Sequence, residues 1–111
     1  MQPKLIVMLA KTASEDKKAE DPVILDIARL TSIAHYFLIT HGNSTRQVVA
    51  IADHVIESLE KKKVKLFHKE GMDEGRWVLL DFGTVIVHIF HKEMREFYAL
   101  ERLWGDAREL V

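Results

Sequence analysis

The fold is decided by the stretch WVLLDFGTVIVHIF, which occupies residues 77–90. Two runs rich in β-branched and large apolar residues, 76–82 and 85–90, flank Gly83-Thr84, and this pattern predicts a β-hairpin. Successive side chains of a strand point to opposite faces of a sheet. The first strand therefore presents two different sides, with Trp77, Leu79 and Asp81 on one and Val78, Leu80 and Phe82 on the other.

The N-terminal segment has the periodicity of a helix. Apolar residues recur there at the spacing of one helix face, at Leu5, Met8, Leu9 and Thr12-Ala13. The helix should end in the polar segment 15–21, because the ring of Pro22 cannot continue it. We therefore predict an amphipathic helix that precedes all strands.

A second helix is predicted to begin at Ser44. Ser44 and Gln47 match the capping box, in which the serine hydroxyl accepts from the N3 amide and the glutamine side chain returns to the amide of the cap. An apolar stripe follows at Val48, Ile51, Ala52, Val55 and Leu59. The stripe ends at Lys61-Lys62-Lys63, whose charges suit the negative end of the helix dipole.

The remaining segments complete a mixed sheet. Short β-branched and aromatic runs predict strands at 23–27 and 36–40, and 66–68 is a weaker candidate. A last helix is predicted after the hairpin, with Gly105 as the left-handed residue beyond its end and with an apolar side formed by Met94, Phe97, Leu100 and Trp104. The order α-β-β-α-β-β-β-α predicts an α/β (α+β) fold in which helices pack on a five-stranded mixed sheet.

Composition limits the classes of function. The 111 residues, with 48% hydrophobic and 30% charged, suit one domain, which we assign to residues 1–111. A net charge of −1 gives no overall positive field, so direct sequence-specific nucleic-acid binding is not expected. The lack of cysteine excludes disulfides and fits the cytoplasm. The apolar run 5–10 is too short for a signal peptide or for the roughly 18 residues of a membrane span.

Candidate chemical sites are few. His88 and His91 are the closest histidine pair, but a spacing of three along a strand turns the two rings to opposite faces, so no metal site is expected. Asp81-Phe82-Gly83 has the sequence of a kinase magnesium motif, but the chain lacks the glycine-rich and catalytic loops that such a site needs. Free amides at the helix start near Ser44 could hold a phosphate, so a residual nucleotide-binding or nucleotidyltransferase-like domain is the alternative function. The basic cluster 61–69 is interpreted first as a solvated helix end and second as an RNA-facing patch.

Several motifs follow one another from the second helix to the C-terminus. They are Gly42-Asn43-Ser44-x-Arg46-Gln47, Ile51-Ala52-Asp53, Glu70-Gly71, Trp77-Val78-Leu79-Leu80-Asp81, Gly83, Val87-His88-Ile89-Phe90 and Tyr98-x-Leu100-Glu101-x-Leu103-Trp104. In this order and spacing they resemble the Iojap-like ribosome silencing factor family, and the resemblance covers nearly the whole chain. Thr84 departs from the family pattern, in which an aspartate commonly follows the glycine.

The resemblance implies a function that composition alone does not. It implies a nucleotidyltransferase-like domain that lacks the metal-binding carboxylates of nucleotidyltransferases. The resemblance therefore implies no catalysis, no cofactor and no bound metal. It implies binding to large-subunit ribosomal protein fourteen at the face where the small subunit docks. Occupying that face blocks subunit association and represses translation under nutrient limitation. Family members also form homodimers, so self-association is expected.

Six residues are predicted to form the partner-binding site. Trp77 and Tyr98 are the main candidates, because interfaces concentrate binding energy in a few aromatic and arginine side chains. The surrounding positions are Leu79, Asp81, Glu101 and Leu103. Acidic groups there would speed association with a basic ribosomal protein. Trp104 is predicted to be a core residue, because it continues the apolar side of the last helix.

Overall fold

Residues 1–110 are described by a computed structural model, and Val111, the last residue of the predicted domain, lies outside them. The helices are α1 (Pro3–Asp16), α2 (Thr45–Lys61), α3 (Lys92–Tyr98) and α4 (Leu100–Leu103). The strands are β1 (Glu20–Asp26), β2 (Tyr36–Gly42), β3 (His68–Glu70), β4 (Trp77–Asp81), β5 (Val85–His91) and β6 (Arg108–Leu110). The strands form one sheet in the order β3-β4-β5-β2-β1-β6.

The sheet is mixed, as the sequence predicted. β2 and β5 are parallel, and the other neighbouring strands are antiparallel. The predicted count of five strands is wrong, because β6 adds a sixth by pairing Leu25 with Glu109 on the edge strand β1. The weak candidate strand 66–68 is also displaced, since β3 begins at His68.

The inner face of the sheet, which α1 and α2 cover, holds the larger core. The predicted stripe of α2 is confirmed, because Val48, Ile51, Ala52, Val55 and Leu59 are all fully buried. Fully buried Val78, Leu80, Val87 and Ile89 of the hairpin belong to the same hydrophobic cluster. Helix stripe and strand face therefore meet as their two periodicities require.

The first helix forms as predicted, but a different side of it is buried. Its buried residues are Ile6, Val7, Ala10, Ala13 and Ser14, whereas Leu5 is exposed and Met8 and Leu9 are half-buried. α1 packs against both α2 and β2. The positions of these two neighbours select the buried side, and the small residues Ala10 and Ala13 permit close approach.

The start of α2 is capped as predicted, with one difference. Ser44 Oγ accepts a hydrogen bond from the Gln47 amide at 3.0 Å. Gln47 Oε1 accepts from the amide of Asn43 at 2.7 Å, and not from the cap residue itself. Gln47 Nε2 donates to the carbonyls of Lys17 and Lys18 at 3.3 and 3.1 Å. The glutamine therefore ties the start of α2 to the chain that leaves α1.

The outer face of the sheet is covered by the C-terminal segment, where the predicted single helix is wrong. Ala99 has a φ of 46°, so the helix breaks there into α3 and α4. The left-handed residue is thus Ala99 and not Gly105. The break turns α4 onto the sheet, where half-buried Leu100 and Trp104 join the cluster of the outer face.

Candidate protein-binding surface

Three of the predicted site residues lie together on the outer face of β4. Trp77, Leu79 and Asp81 are all half-buried there, which confirms the predicted division of the strand into two sides. In the ladder with β5, Trp77 lies opposite Phe90 and Leu79 lies opposite His88. Directly opposed residues of an antiparallel pair share a face. The outer face near β4 is therefore largely aromatic.

Trp77 is the centre of this aromatic group. Its ring stacks on buried Phe90, with centroids 5.0 Å apart, and lies 4.7 Å from the ring of Tyr98 on α3. Tyr98 is 44% exposed, so its ring continues the group to the surface. α3 therefore brings Tyr98 beside the hairpin.

A buried histidine fixes the orientation of the tryptophan. Trp77 Nε1 donates to His88 Nδ1 at 3.2 Å. An indole N–H is only a donor, so the imidazole accepts at Nδ1 and carries its proton at Nε2. Nε2 is buried and has no hydrogen-bond partner within residues 1–110. Burial lowers the pKa of His88 from 6.5 to about 4, so the ring is neutral near pH 7.

Two further apolar side chains stand out from the C-terminal helices. Leu103 of α4 and Phe97 of α3 are each 76% exposed, and the Phe97 ring lies 5.3 Å from Tyr98. The prediction that Phe97 belongs to a buried stripe is wrong, because the stripe assumed a continuous helix through residue 104. We call Trp77, Phe97 and Tyr98 the aromatic surface. Phe97 was missed as a surface residue because the sequence has no glycine or proline that marks the break at Ala99.

An ion pair spans that helix break. Arg95 of α3 donates from Nε to Glu101 Oε1 at 3.0 Å and from Nη2 to Oε2 at 3.3 Å. Nη1 of the same arginine lies 2.9 Å from His41 Nδ1 and donates to the Glu20 carbonyl at 3.3 Å. Glu101, predicted to face a basic partner, is thus bound to a cation of its own chain. Arg95 clamps α3 and α4 against β1 and β2.

Asp81 also has an intramolecular role. Its Oδ1 accepts from the amide of Gly83 at 2.7 Å, in the turn of the hairpin. Gly83 has a φ of 90°, a conformation that favours glycine. Asp81 lies at the opposite end of β4 from Trp77, roughly 13 Å away at the usual rise per strand residue. The three predicted residues of β4 therefore extend along the strand and do not form a compact spot.

The other candidate sites of the sequence have structural roles. Ser44 and the Gln47 amide of α2 are engaged in the cap described above. His91 Nδ1 accepts from the amide of Glu93 at 3.2 Å, which caps α3. No three histidine or acidic side chains of residues 1–110 are grouped so that they could ligate a metal. None of the helices in that range combines the length and apolarity needed to traverse a bilayer.

Comparison with known proteins gives the same family that the sequence motifs resemble, over nearly the whole chain. The family model described as ribosomal silencing factor during starvation matches residues 2–111. The ribosomal silencing factor RsfS of Bacillus subtilis is 48% identical over 107 residues, which are 96% of this chain and 91% of that protein. The chloroplastic Iojap protein of Zea mays is 40% identical over 91% of this chain and 43% of its own length. A crystal structure from Chromobacterium violaceum has a TM-score of 0.93 and 39% identity, and covers 95% of this chain and 88% of its own.

Proposed function

The chain belongs to the family of ribosomal silencing factors during starvation, and on this premise we propose that it represses translation by steric blockade. In this proposal it binds large-subunit ribosomal protein fourteen through the aromatic surface and its surroundings. The bound protein then occupies the face at which the small subunit docks. The action takes place in the cytoplasm and involves neither catalysis, a cofactor nor a metal.

The contact between Trp77 and half-exposed Tyr98 is the observation that carries the proposal. An aromatic pair that its own protein already holds in place, and that solvent reaches on one side, can bind a partner with little further loss of side-chain conformational entropy. Phe90 and His88 hold Trp77 from below, through stacking and a 3.2 Å hydrogen bond. Protein interfaces usually concentrate their binding energy in aromatic side chains that are held in place and surrounded by residues that exclude water.

The acidic residues support the same choice of partner-binding surface. Asp81 and Glu101 each lie in the proposed surface and are only half-buried. Ribosomal proteins are generally basic, so these carboxylates would favour encounter more than final affinity. Glu101 would share its carboxylate between Arg95 and the partner, because a carboxylate has several acceptor positions.

Self-association follows from the same surface. A small domain that exposes Phe97 and Tyr98 side by side tends to cover them, and twofold pairing of one patch with itself is the commonest arrangement. We propose that the homodimer and the complex with ribosomal protein fourteen use overlapping surfaces. Light scattering with and without the purified partner tests this, and a dimer that binds two partners without dissociating would contradict it.

Sedimentation of ribosomal extracts tests the blockade. The protein should co-sediment with free large subunits and be depleted from joined ribosomes, because the small subunit covers the proposed binding face of the large subunit when the two join. Equal amounts in both fractions would rule out blockade. Titration with nucleotide and magnesium tests the alternative function, since a protein that acts only by docking gives no saturable signal.

Substitutions in the aromatic surface test where the partner binds. Trp77→Ala and Tyr98→Ala should each weaken binding of purified ribosomal protein fourteen at least about tenfold, which corresponds to 1.4 kcal/mol. Tyr98→Phe keeps the ring and should bind nearly as well as the unchanged protein. Leu103→Ala should weaken binding, whereas Leu30→Ala, at another exposed leucine that lies outside the surface, should not. Normal binding by folded Trp77→Ala would place the interface elsewhere.

A further inference from the structure

The segment from the end of α2 to β3, which we call the basic segment, concentrates positive charge. Residues 61–69 contain Lys61, Lys62, Lys63, Lys65 and Lys69, and all of them are exposed. The chain as a whole carries a net charge of −1. Five of the 16 lysine and arginine residues of the chain therefore lie within nine positions, at one end of α2 and the adjoining sheet edge.

These lysines are not neutralised by the protein's own carboxylates. The carboxylate contacts found within residues 1–110 involve Lys11, Arg95 and three histidines, and none involves a lysine of the basic segment. Glu70, the acidic residue next to Lys69, instead pairs with His68 at 3.0 Å. The field of the lysines is thus available to an external anion.

The backbone holds the start of the segment in a defined turn. Lys63 has a φ of 64°, in the left-handed region that glycine normally occupies at a helix end. The Lys63 amide donates to the Glu60 carbonyl at 2.8 Å, and the Val64 amide donates to the Leu59 carbonyl at 2.9 Å. Buried Val64 anchors the turn in the core. The lysines therefore project from an ordered turn and not from a loose tail.

An exposed aromatic ring lies among the lysines. Phe67 is 63% exposed, and Lys65 Nζ lies 5.7 Å from its ring centroid. The Phe67 amide donates to the Asp81 carbonyl at 2.8 Å, so the residue is fixed along the edge of β4. A solvated helix end does not by itself account for a large apolar ring that is exposed to water. A lysine beside an exposed aromatic ring, with further lysines nearby in the chain, is instead a combination suited to single-stranded nucleic acid.

We propose that the basic segment is an RNA-binding surface, in which the lysines contact phosphates and Phe67 stacks on an unpaired base. Contacts of this kind are independent of sequence, in agreement with the expectation that the protein does not read specific bases. That the RNA belongs to the large ribosomal subunit rests on the proposed function. The bond between the Phe67 amide and the Asp81 carbonyl joins the basic segment to the Asp81 end of β4.

Fluorescence anisotropy with a short labelled single-stranded RNA, titrated at several salt concentrations, tests the inference without any ribosomal protein. The combined variant Lys61→Gln, Lys62→Gln, Lys63→Gln and Lys65→Gln should bind at least about tenfold more weakly. Its slope of log affinity against log salt should be shallower by up to about 3, because each lost phosphate contact removes roughly 0.7. A matched variant with the same net charge carries Lys4→Gln, Lys17→Gln, Lys18→Gln and Arg29→Gln at exposed positions elsewhere, and should bind within about twofold of the unchanged protein.

A second variant separates stacking from charge. Phe67→Ala should weaken RNA binding about tenfold and leave the salt slope unchanged, whereas Phe67→Tyr should restore binding. The inference would be overturned if the two fourfold variants lost equal RNA affinity or if Phe67→Ala bound RNA as well as the unchanged protein. It would also be overturned if polyglutamate or anionic lipid vesicles competed with the labelled RNA as well as unlabelled RNA does. All these variants should still bind purified ribosomal protein fourteen. If the unchanged protein binds RNA but not that partner, the proposed function fails and the RNA surface stands.

Discussion

The two faces of the sheet are built differently, although the same strands contribute to both. The inner face lies under two long helices, and its central side chains are fully buried. The outer face lies under two short helices separated by a left-handed residue, and its Trp77, Leu79 and Trp104 are only half-buried. Stability therefore resides mainly in the inner face, while the outer face keeps apolar surface available for a partner.

The outer face is also held by polar contacts around Arg95. Arg95 reaches Glu101, His41 and the Glu20 carbonyl, and so fixes the short helices that packing alone would leave loosely placed. Helices as short as these have little stability of their own. The comparison teaches that the more exposed face of the sheet is kept in position by hydrogen bonds around its margin.

The largest expected effect is on the inner face. Ile51→Ala removes a fully buried side chain of α2 and should lower the free energy of unfolding by about 2–5 kcal/mol. Leu103→Ala on the outer side is the control and should change it by less than about 0.5 kcal/mol. Urea denaturation measures both. Similar losses for the two variants would remove the distinction between the faces.

A somewhat smaller effect is expected from pH, and it acts through the outer face. The pKa of His88 falls from 6.5 to about 4 on folding, so the unfolded chain binds its proton more readily. His88 therefore contributes stability that is fully present above pH 6.5 and is lost as the pH falls from 6.5 to 4. The loss is about 3 kcal/mol, at 1.36 kcal/mol per pKa unit. Urea denaturation across this range should show a shallower dependence on pH for His88→Gln, and an unchanged dependence would contradict the role of burial.

The smallest expected effect concerns the ion pair at the margin. Glu101→Gln removes the charge that faces Arg95, and should lower the free energy of unfolding by about 1 kcal/mol, because the pair is bidentate but partly solvated. The difference should shrink in high salt. Glu96→Gln, which changes an exposed carboxylate on α3, the helix of Arg95, is the matched control. Equal thermal shifts for both variants would show that the ion pair does not hold the C-terminal helices.

Local patterns predicted the parts of the fold that local chemistry controls. The hairpin, the division of β4 into two sides and the buried stripe of α2 follow from neighbouring residues and are confirmed. The Ser44 cap is confirmed as well, except that Gln47 returns to the Asn43 amide and not to the amide of Ser44. The buried side of α1 was predicted wrongly, since it depends on where α2 and β2 lie. β6 was missed because three exposed or half-buried residues carry no alternation that distinguishes a strand from a tail.

The candidate surface was predicted only in part, for the same reason. Trp77 and Tyr98 were chosen for their residue types, and their contact of 4.7 Å agrees with that choice. The exposure of Phe97 and the engagement of Glu101 could not be predicted, because both depend on the left-handed break at Ala99. Whether the six predicted residues bind a ribosomal protein stays a prediction.

The sequence by itself determined the family, the order of most elements and the alternating sides of the hairpin, because each depends on residues that are close along the chain. Only the tertiary structure decided which side of each helix is buried, where the last helix breaks and which charges are paired. Those outcomes depend on contacts such as that between Arg95 and His41, which are 54 positions apart. Burial and pairing are properties of the surroundings that the folded chain provides, and a linear pattern does not contain them.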